Sequence, residues 1–327
     1  MEEMEKRETP AYLPRLTRKW SESIRIVGDQ EGEFVGDFAI AKDRNGLWHC
    51  IGIGGQGHSQ DSFFHAVSNN LSSHFAYTDR VFSGGDGNYP FTEWMWAPFI
   101  VHAPGGMAYL YYCHKQSGNG WQMRILQAPG SDMRHWQPLG DPRLEEGDIA
   151  FREEKDRDPC IFFDDEENVW FMYYSGSDPA TGQSAVNLRT SADLVRWSPP
   201  VAVMGIPDGY REAESPFVLK RFGFYYLFVS GFDYARVSVY ASRNPRDFGH
   251  PDADRLEEIN GHCPEIVSEG GKDYMICAAI STQPGRPPAV HDLYGAYIQE
   301  LEWVSAVGSG CQTAAGWEYK QERGDSV

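Results

Sequence analysis

The chain is short of positive charge. Its 327 residues carry 29 Lys+Arg against 47 Asp+Glu, a formal net charge of −18, and no Lys/Arg run is long enough to build a basic face. Such a field repels a phosphate backbone and an anionic bilayer, which excludes nucleic acid and membrane surfaces as partners. No stretch approaches the ~20 consecutive apolar residues of a membrane span. Cysteine is sparse: Cys50, Cys113, Cys160, Cys263, Cys277 and Cys311 lack CxxC spacing and mostly sit inside apolar runs. That is too few for a disulfide scaffold and, with the His scattered, the wrong pattern for a zinc site, so buried thiols are expected. The start, MEEMEKRETPAYLPR, is charged, broken by prolines and without the apolar core of a secretory signal, which makes the cytoplasm the expected location. Long helix-period stretches are almost absent as well. Gly52-Ile53-Gly54-Gly55-Gln56-Gly57 imitates a dinucleotide loop, but no helix pattern follows it.

What the chain has in quantity is aromatic residues, 18 Phe, 17 Tyr and 10 Trp, ample for a core that a disordered acidic chain would lack. They recur with a period. GDFAIAKDRNGLWHCIGI from Gly36, WAPFIVHAPGGMAYLYYC from Trp96, RDPCIFFDDEENVWFMYYSG from Arg157, ESPFVLKRFGFYYLFVSG from Glu214 and HCPEIVSEGGKDYMICAA from His262 share one grammar. Each has a short polar opening, an apolar strand, a turn, and a second strand rich in aromatics. The aligned positions Phe38, Pro98, Pro159, Pro216 and Pro264 are 60, 61, 57 and 48 residues apart. The turns, such as Asp43-Arg44-Asn45-Gly46 and Pro104-Gly105-Gly106, suit hairpins. A third strand follows in SFFHAVS, QMRILQA, AVNLRTS, RVSVYAS and LYGAYI. Behind it come Asp132 to Trp136 and Asp193 to Trp197, both D-x-x-x-W, echoed by Glu300 to Trp303. The expected fold is all-β, a single five-bladed β-propeller with four-stranded antiparallel blades. A pair of β-sandwiches, the alternative, predicts no period across the whole chain. Residues 34–304 are expected to form the propeller. Residues 1–33 precede it as an extension in which residues 23–27 can close the ring, and 305–327 form a tail.

In a propeller the first strand of each blade lines the axis, so the strand openings converge. They carry Asp37, Ala97, Asp158, Glu214 with Ser215, and Cys263 with His262 beside it. Like charges gathered in one place raise each other's pKa and cost stability, so three carboxylates from three blades imply a function. Glycoside hydrolysis uses such a set: one carboxylate handles water or attacks, a second feeds a proton to the leaving oxygen, and a third tunes them.

The openings Gly36-Asp37-Phe38, Trp96-Ala97-Pro98, Arg157-Asp158-Pro159 and Glu214-Ser215-Pro216 together resemble glycoside hydrolase family 43, and its five-bladed relatives in family 32, over roughly residues 34–303. The resemblance implies that Asp37 is the general base, Asp158 the residue that orients the acid and tunes its pKa, and Glu214 the general acid. It implies an inverting reaction for family 43, whereas on the family 32 pattern Asp37 is a nucleophile. No cofactor is required on this reading; a calcium ion or water cluster near His262 is what the resemblance admits. It also implies a pocket Arg near the acid at Arg236. Arg157 departs from the family 43 pattern, and its guanidinium could donate a fork to sugar hydroxyls. Trp94 and Trp96 could stack on a sugar ring or pack between blades. His58, in the loop 54–60, is a further candidate sugar contact. The expected enzyme is a glycosidase for a terminal or short-oligosaccharide bond, of α-L-arabinofuranosidase or β-xylosidase type. Its alternatives are a β-fructofuranosidase-like retaining hydrolase, a glycoside phosphorylase, and a non-catalytic carbohydrate-binding propeller.

Overall fold

The structure is a computed structural model that describes residues 8–28, 33–54, 60–78, 82–83, 94–115, 121–144, 147–148, 150–151, 156–206, 213–231, 235–280 and 293–306. The five repeats form five antiparallel sheets. Blade one contains Val35–Lys42, Trp48–Gly54, Ser62–Ser68 and Ala76–Tyr77, with Phe82–Ser83 also on its third strand. Blade two is built from Trp94–His102, Met107–Lys115, Gln122–Pro129 and Gln137–Gly140. Blade three takes Arg157–Asp164, Val169–Ser177, Ser184–Ser191 and Val201–Gly205, and blade four Glu214–Arg221, Phe224–Ser230, Arg236–Ser242 and Glu257–Asn260. The chain is therefore the five-bladed propeller that its period announces, and the sandwich alternative falls. No helix among the described residues is long and apolar enough to cross a membrane.

Local chemistry explains the hairpins. Asp43 Oδ1 accepts from the backbone N–H groups of Asn45 (2.9 Å) and Leu47 (2.8 Å), closing the first turn. Between third and fourth strands, Asp193 Oδ1 accepts from Val195 and Arg196 N–H at 2.9 and 2.8 Å, while Trp197 is fully buried. The D-x-x-x-W sequence is thus a carboxylate-closed turn followed by an aromatic anchor. Glu300 to Trp303 differs: it lies within the long strand Leu293–Ser305 of blade five.

That strand needs its length because both ends of the chain meet on it. Blade five comprises Glu265–Glu269, Lys272–Ile280 and Leu293–Ser305, and its fourth strand is Tyr12–Leu16, paired antiparallel from Tyr12 opposite Ser305 to Leu16 opposite Leu301. Ile24–Val27 also pairs with the same strand, Ile24 opposite Ile298, but Tyr12–Leu16 is the strand that completes the sheet. Between them Trp20, 2% exposed, donates its indole N–H to the carbonyl of Asn260 at 2.6 Å and so ties the N-terminal segment to blade four. Burying a side chain of this kind stabilises by about 1.5–3 kcal/mol.

The first strands share an irregularity that aims the site. Register shifts lie between Val35 and Phe38, Trp96 and Phe99, Arg157 and Cys160, and Glu214 and Phe217. Blade five repeats it: Ala278 N–H donates to His262 O, and Glu265 pairs with Ile276. Each is a β-bulge, which bends a strand and re-aims its side chains. At the bulge Ala97, Asp158, Ser215 and Cys263 hold φ of 48°, 60°, 45° and 47°, each followed by proline. A non-glycine residue at positive φ costs about 1–3 kcal/mol and persists where its surroundings impose it. In blade one the ladder sets Phe38 level with Phe99, Cys160 and Phe217, one position from the proline alignment read off the sequence. Asp37 therefore occupies the place the other blades give to proline. Gly36 makes this possible, since a Cβ there would stand 2.6 Å from Ile53 Cδ1.

Candidate active site

The bulges deliver Asp37, Asp158 and Glu214 to one end of the axis, with Ser215 as the link between them. Its hydroxyl donates to Asp37 Oδ1 at 3.1 Å, and its backbone N–H donates to Asp158 Oδ2 at 3.0 Å. Asp37 Oδ1 also accepts from the Cys263 thiol at 2.7 Å. Burial, and then the nearby Asp37 charge, pushes the Cys263 pKa well above the ordinary thiol value, so that it stays a donor. Beneath the carboxylates lies a cavity of about 30 Å³ lined by Asp37, Asp158, Ser215, Cys263 and Glu265 among others.

Arg157 stands between two of the acids, its Nε 3.5 Å from Asp158 Oδ2 and its Nη2 3.4 Å from Glu214 Oε1. The residue that looked like a substrate fork in the sequence is thus engaged by the acids themselves. His262 is buried, with Nε2 3.9 Å from Glu214 Oε2. Glu214 titrates far from the usual carboxylate range. Burial raises it, Asp158 raises it further, Arg157 opposes and Asp37 adds, and the result is a pKa of about 8. Asp37 is also raised, by burial first, with the Cys263 and Ser215 donors and the Arg157 charge pulling the other way.

The tryptophans form a stack at the mouth end of blade two. Trp94, 42% exposed, lies over Trp96 with ring centroids 5.9 Å apart at 20°, and Trp96 meets Trp121 at 4.3 Å. Trp96 thus packs on Trp121 within blade two, and the more exposed Trp94 has Lys115 Nζ 5.8 Å from its ring centroid. Arg236 is exposed and opens the third strand of blade four, at the same end as Glu214, since Glu214 is opposite Ser230 and Ser230 opposite Val237. His58 lies outside the described residues. For calcium the donor set does not fit. The ion wants six to eight oxygens, His262 offers an imidazole facing one carboxylate, and no group of three His, Cys, Asp or Glu among the described residues could hold a metal.

Sequence reasoning did not single out four residues of the site. Ser215 and Cys263 were visible at strand openings but carry no residue-type signal as partners of an acid. Trp121 follows Gly118-Asn119-Gly120 and meets Trp96 only across the hairpin. Glu265 follows Pro264 at the start of the blade-five strand, with nothing in its sequence neighbours to set it apart.

A five-bladed propeller with a cluster of acids at one end of its axis is the frame of a carbohydrate-cleaving enzyme. The family model for glycosyl hydrolases family 43 matches residues 68–303, most of the chain, and the protein belongs to that family as a glycosidase acting on O-glycosyl bonds. The match begins after Asp37. Among curated proteins none matches. A β-xylosidase/α-arabinofuranosidase from a compost microbial metagenome, solved with xylotriose in a calcium-free form, is similar in structure. Its TM-score is 0.61 at 15% identity, over 90% of this chain and 96% of that one. The α-L-arabinofuranosidase from Lactobacillus brevis gives 0.59 at 16%, over 82% and 91%. A family-43 enzyme from Xanthomonas citri gives 0.62 at 15%, over 88% and 93%. At these identities the likeness establishes the fold.

Proposed function

We propose that this glycosidase cleaves a terminal or short-oligosaccharide α-L-arabinofuranoside or β-xyloside by a single displacement with inversion. Residues 34–304 with the strand Tyr12–Leu16 form the catalytic unit. Asp37, ionised, takes a proton from water as that water attacks the anomeric carbon, and Glu214, protonated, gives its proton to the departing oxygen. After product release Asp37 loses a proton to solvent and Glu214 regains one. Burial, reinforced by the negative charge of Asp158, keeps Glu214 protonated, and Asp158 fixes Ser215, whose hydroxyl orients Asp37. The observation that carries this reading is the difference between the two acids: Glu214 faces Asp158 and sits near pKa 8, while Asp37 is held by two donors on one oxygen. The names of the structural neighbours support the pentoside substrates, and the exposed Trp94 suits a sugar ring.

The test uses nitrophenyl arabinofuranoside and xyloside beside the corresponding unactivated oligosaccharides. Asp37→Ala should lose at least ~10²–10⁴-fold on all of them. Glu214→Ala should lose more on the oligosaccharides than on the nitrophenyl substrates, because a nitrophenolate departs with little help from an acid. NMR of the first-formed sugar should show the inverted anomer. Full activity in either variant removes that residue from its role, and a retained anomer makes Asp37 a nucleophile.

A further inference from the structure

One carboxylic acid on the axis has no part in the reaction as drawn. Glu265 begins the inner strand of blade five, and the bulge register makes it the counterpart of Phe38, Phe99, Cys160 and Phe217 in the other four blades. A ring that is otherwise apolar or thiol thus contains one acid. It lies just below the level of Asp37, and both line the 30 Å³ cavity, which has room for about one or two waters. The groups coupled to Glu265 are Asp37 and the buried thiols of Cys50, Cys160 and Cys277, none of them cationic. Asp158, Ser215 and Cys263 complete the polar lining, and Arg157, Glu214 and His262 lie at the mouth. Burial, then the Asp37 charge, pushes the Glu265 pKa well above the carboxylate range and so favours the protonated acid, which can donate.

We propose that Glu265 is a positioning residue which, through water in the axial cavity, donates a hydrogen bond toward Asp37 and holds it ionised as the base. The two donors to Asp37 both fall on Oδ1. A third from below restrains the carboxylate while its other oxygen meets the attacking water. The inference rests on the reading of Asp37 as the base. A carboxylic acid is worth placing in an apolar ring only if its proton has an acceptor, and Asp37 is the anion that faces the same cavity.

The test is the pH dependence of kcat/KM in the full chain. Glu265→Met, which fits the ring without a donor, should move the acid limb upward by about one pH unit, because a donor to an ionised group has been lost. Glu265→Leu repeats the loss in a second shape. Glu265→Gln keeps an N–H donor and should leave the limb within a few tenths of a unit. An unmoved limb in the Met and Leu variants overturns the inference. So does a downward shift, the mark of an ionised Glu265 repelling Asp37. Asp37→Asn separates the two readings: if it is inactive and the limb is unmoved, only the role of Glu265 fails, whereas an active Asp37→Asn removes the base and this inference with it.

Discussion

The strand Arg157–Asp164 carries a buried aspartate at each end, and the two lead opposite lives. Asp164, at the turn, is surrounded by donors: the backbone N–H groups of Glu166 and Glu167 at 3.0 and 2.8 Å, the Tyr225 hydroxyl at 2.5 Å and Lys220 at 3.4 Å. Burial alone would raise its pKa, but those donors outweigh it and the carboxylate is held below the ordinary value. Asp158, at the axis, accepts from Ser215, lies beside Arg157 and sets its negative charge against Glu214. Burial first, and then that crowding, pushes Glu214 up to about 8. Burial therefore does not by itself mark a working acid. An acid whose lone pairs are all met by donors is a structural device, and an acid that must face its own kind is available for chemistry.

The largest test of this contrast is Glu214→Gln, which should separate activity from stability. Activity on an unactivated oligosaccharide should fall at least ~10²–10⁴-fold. Stability should move the other way. Glu214 has its folded pKa raised from 4.5 to about 8, so its favourable contribution is complete below the unfolded value and is lost as pH rises through the folded one. At pH 7 the wild type carries a penalty on the order of 3 kcal/mol relative to a neutral side chain. Urea midpoints should show Glu214→Gln more stable than wild type at pH 7–8, with the gap closing below about pH 4.5. A gap that persists at low pH would assign the effect to packing.

Asp164→Ala should do the reverse. It strands Tyr225 and two backbone donors and removes one of the three carboxylates around Lys220, which keeps Glu166 at 2.9 Å, so a loss of about 2–4 kcal/mol is expected, with kcat of the folded fraction within about two-fold of wild type. Because the Asp164 pKa is lowered, this stabilisation is present above the unfolded value and is lost as pH falls through the folded one. The deficit of the variant should therefore shrink in acid. A large drop in kcat would join the two ends of the strand functionally and break the comparison.

How much of this can be read from the sequence follows from the same division. The repeat is legible because every blade must solve the same problem at its opening and its turn, and the solutions use distinctive residues, proline after the bulge and acids or glycines in the hairpins. Asp37, Asp158 and Glu214 are legible for that reason. The Tyr12–Leu16 strand is not: it is five residues long, contains Pro14, and pairs with a partner near the far end of the chain, so its local pattern says less than that of Ile24–Val27. Pro14 is tolerated because the strand is an edge. The one-residue offset of Phe38 stays hidden because Gly36, without a side chain, lets blade one bulge differently. Ser215 and Cys263 meet Asp37 across blades and Glu265 lines the same cavity, and nothing in their neighbours along the chain names that partner.

The smallest effect belongs to a turn near the solvent. Asp193 accepts from Val195 and Arg196 N–H through Oδ1 and from the Arg196 guanidinium at 2.8 Å through Oδ2. Burial raises its pKa, and the two backbone donors with Arg196 lower it overall. The side chain is 36% exposed, so water and salt screen the ion pair and most of the stabilisation should come from Oδ1, about 1 kcal/mol in all. Asp193→Asn keeps that acceptor and should lose less than half of what Asp193→Ala loses, and the difference should survive about 1 M salt, where a surface pair would not. Equal losses for Asn and Ala in urea titrations would mean that charge, not turn closure, is what the aspartate supplies. The donor-filled acid would then resemble the axial ones more closely than Asp164 suggests, because its worth too would lie in its ionisation.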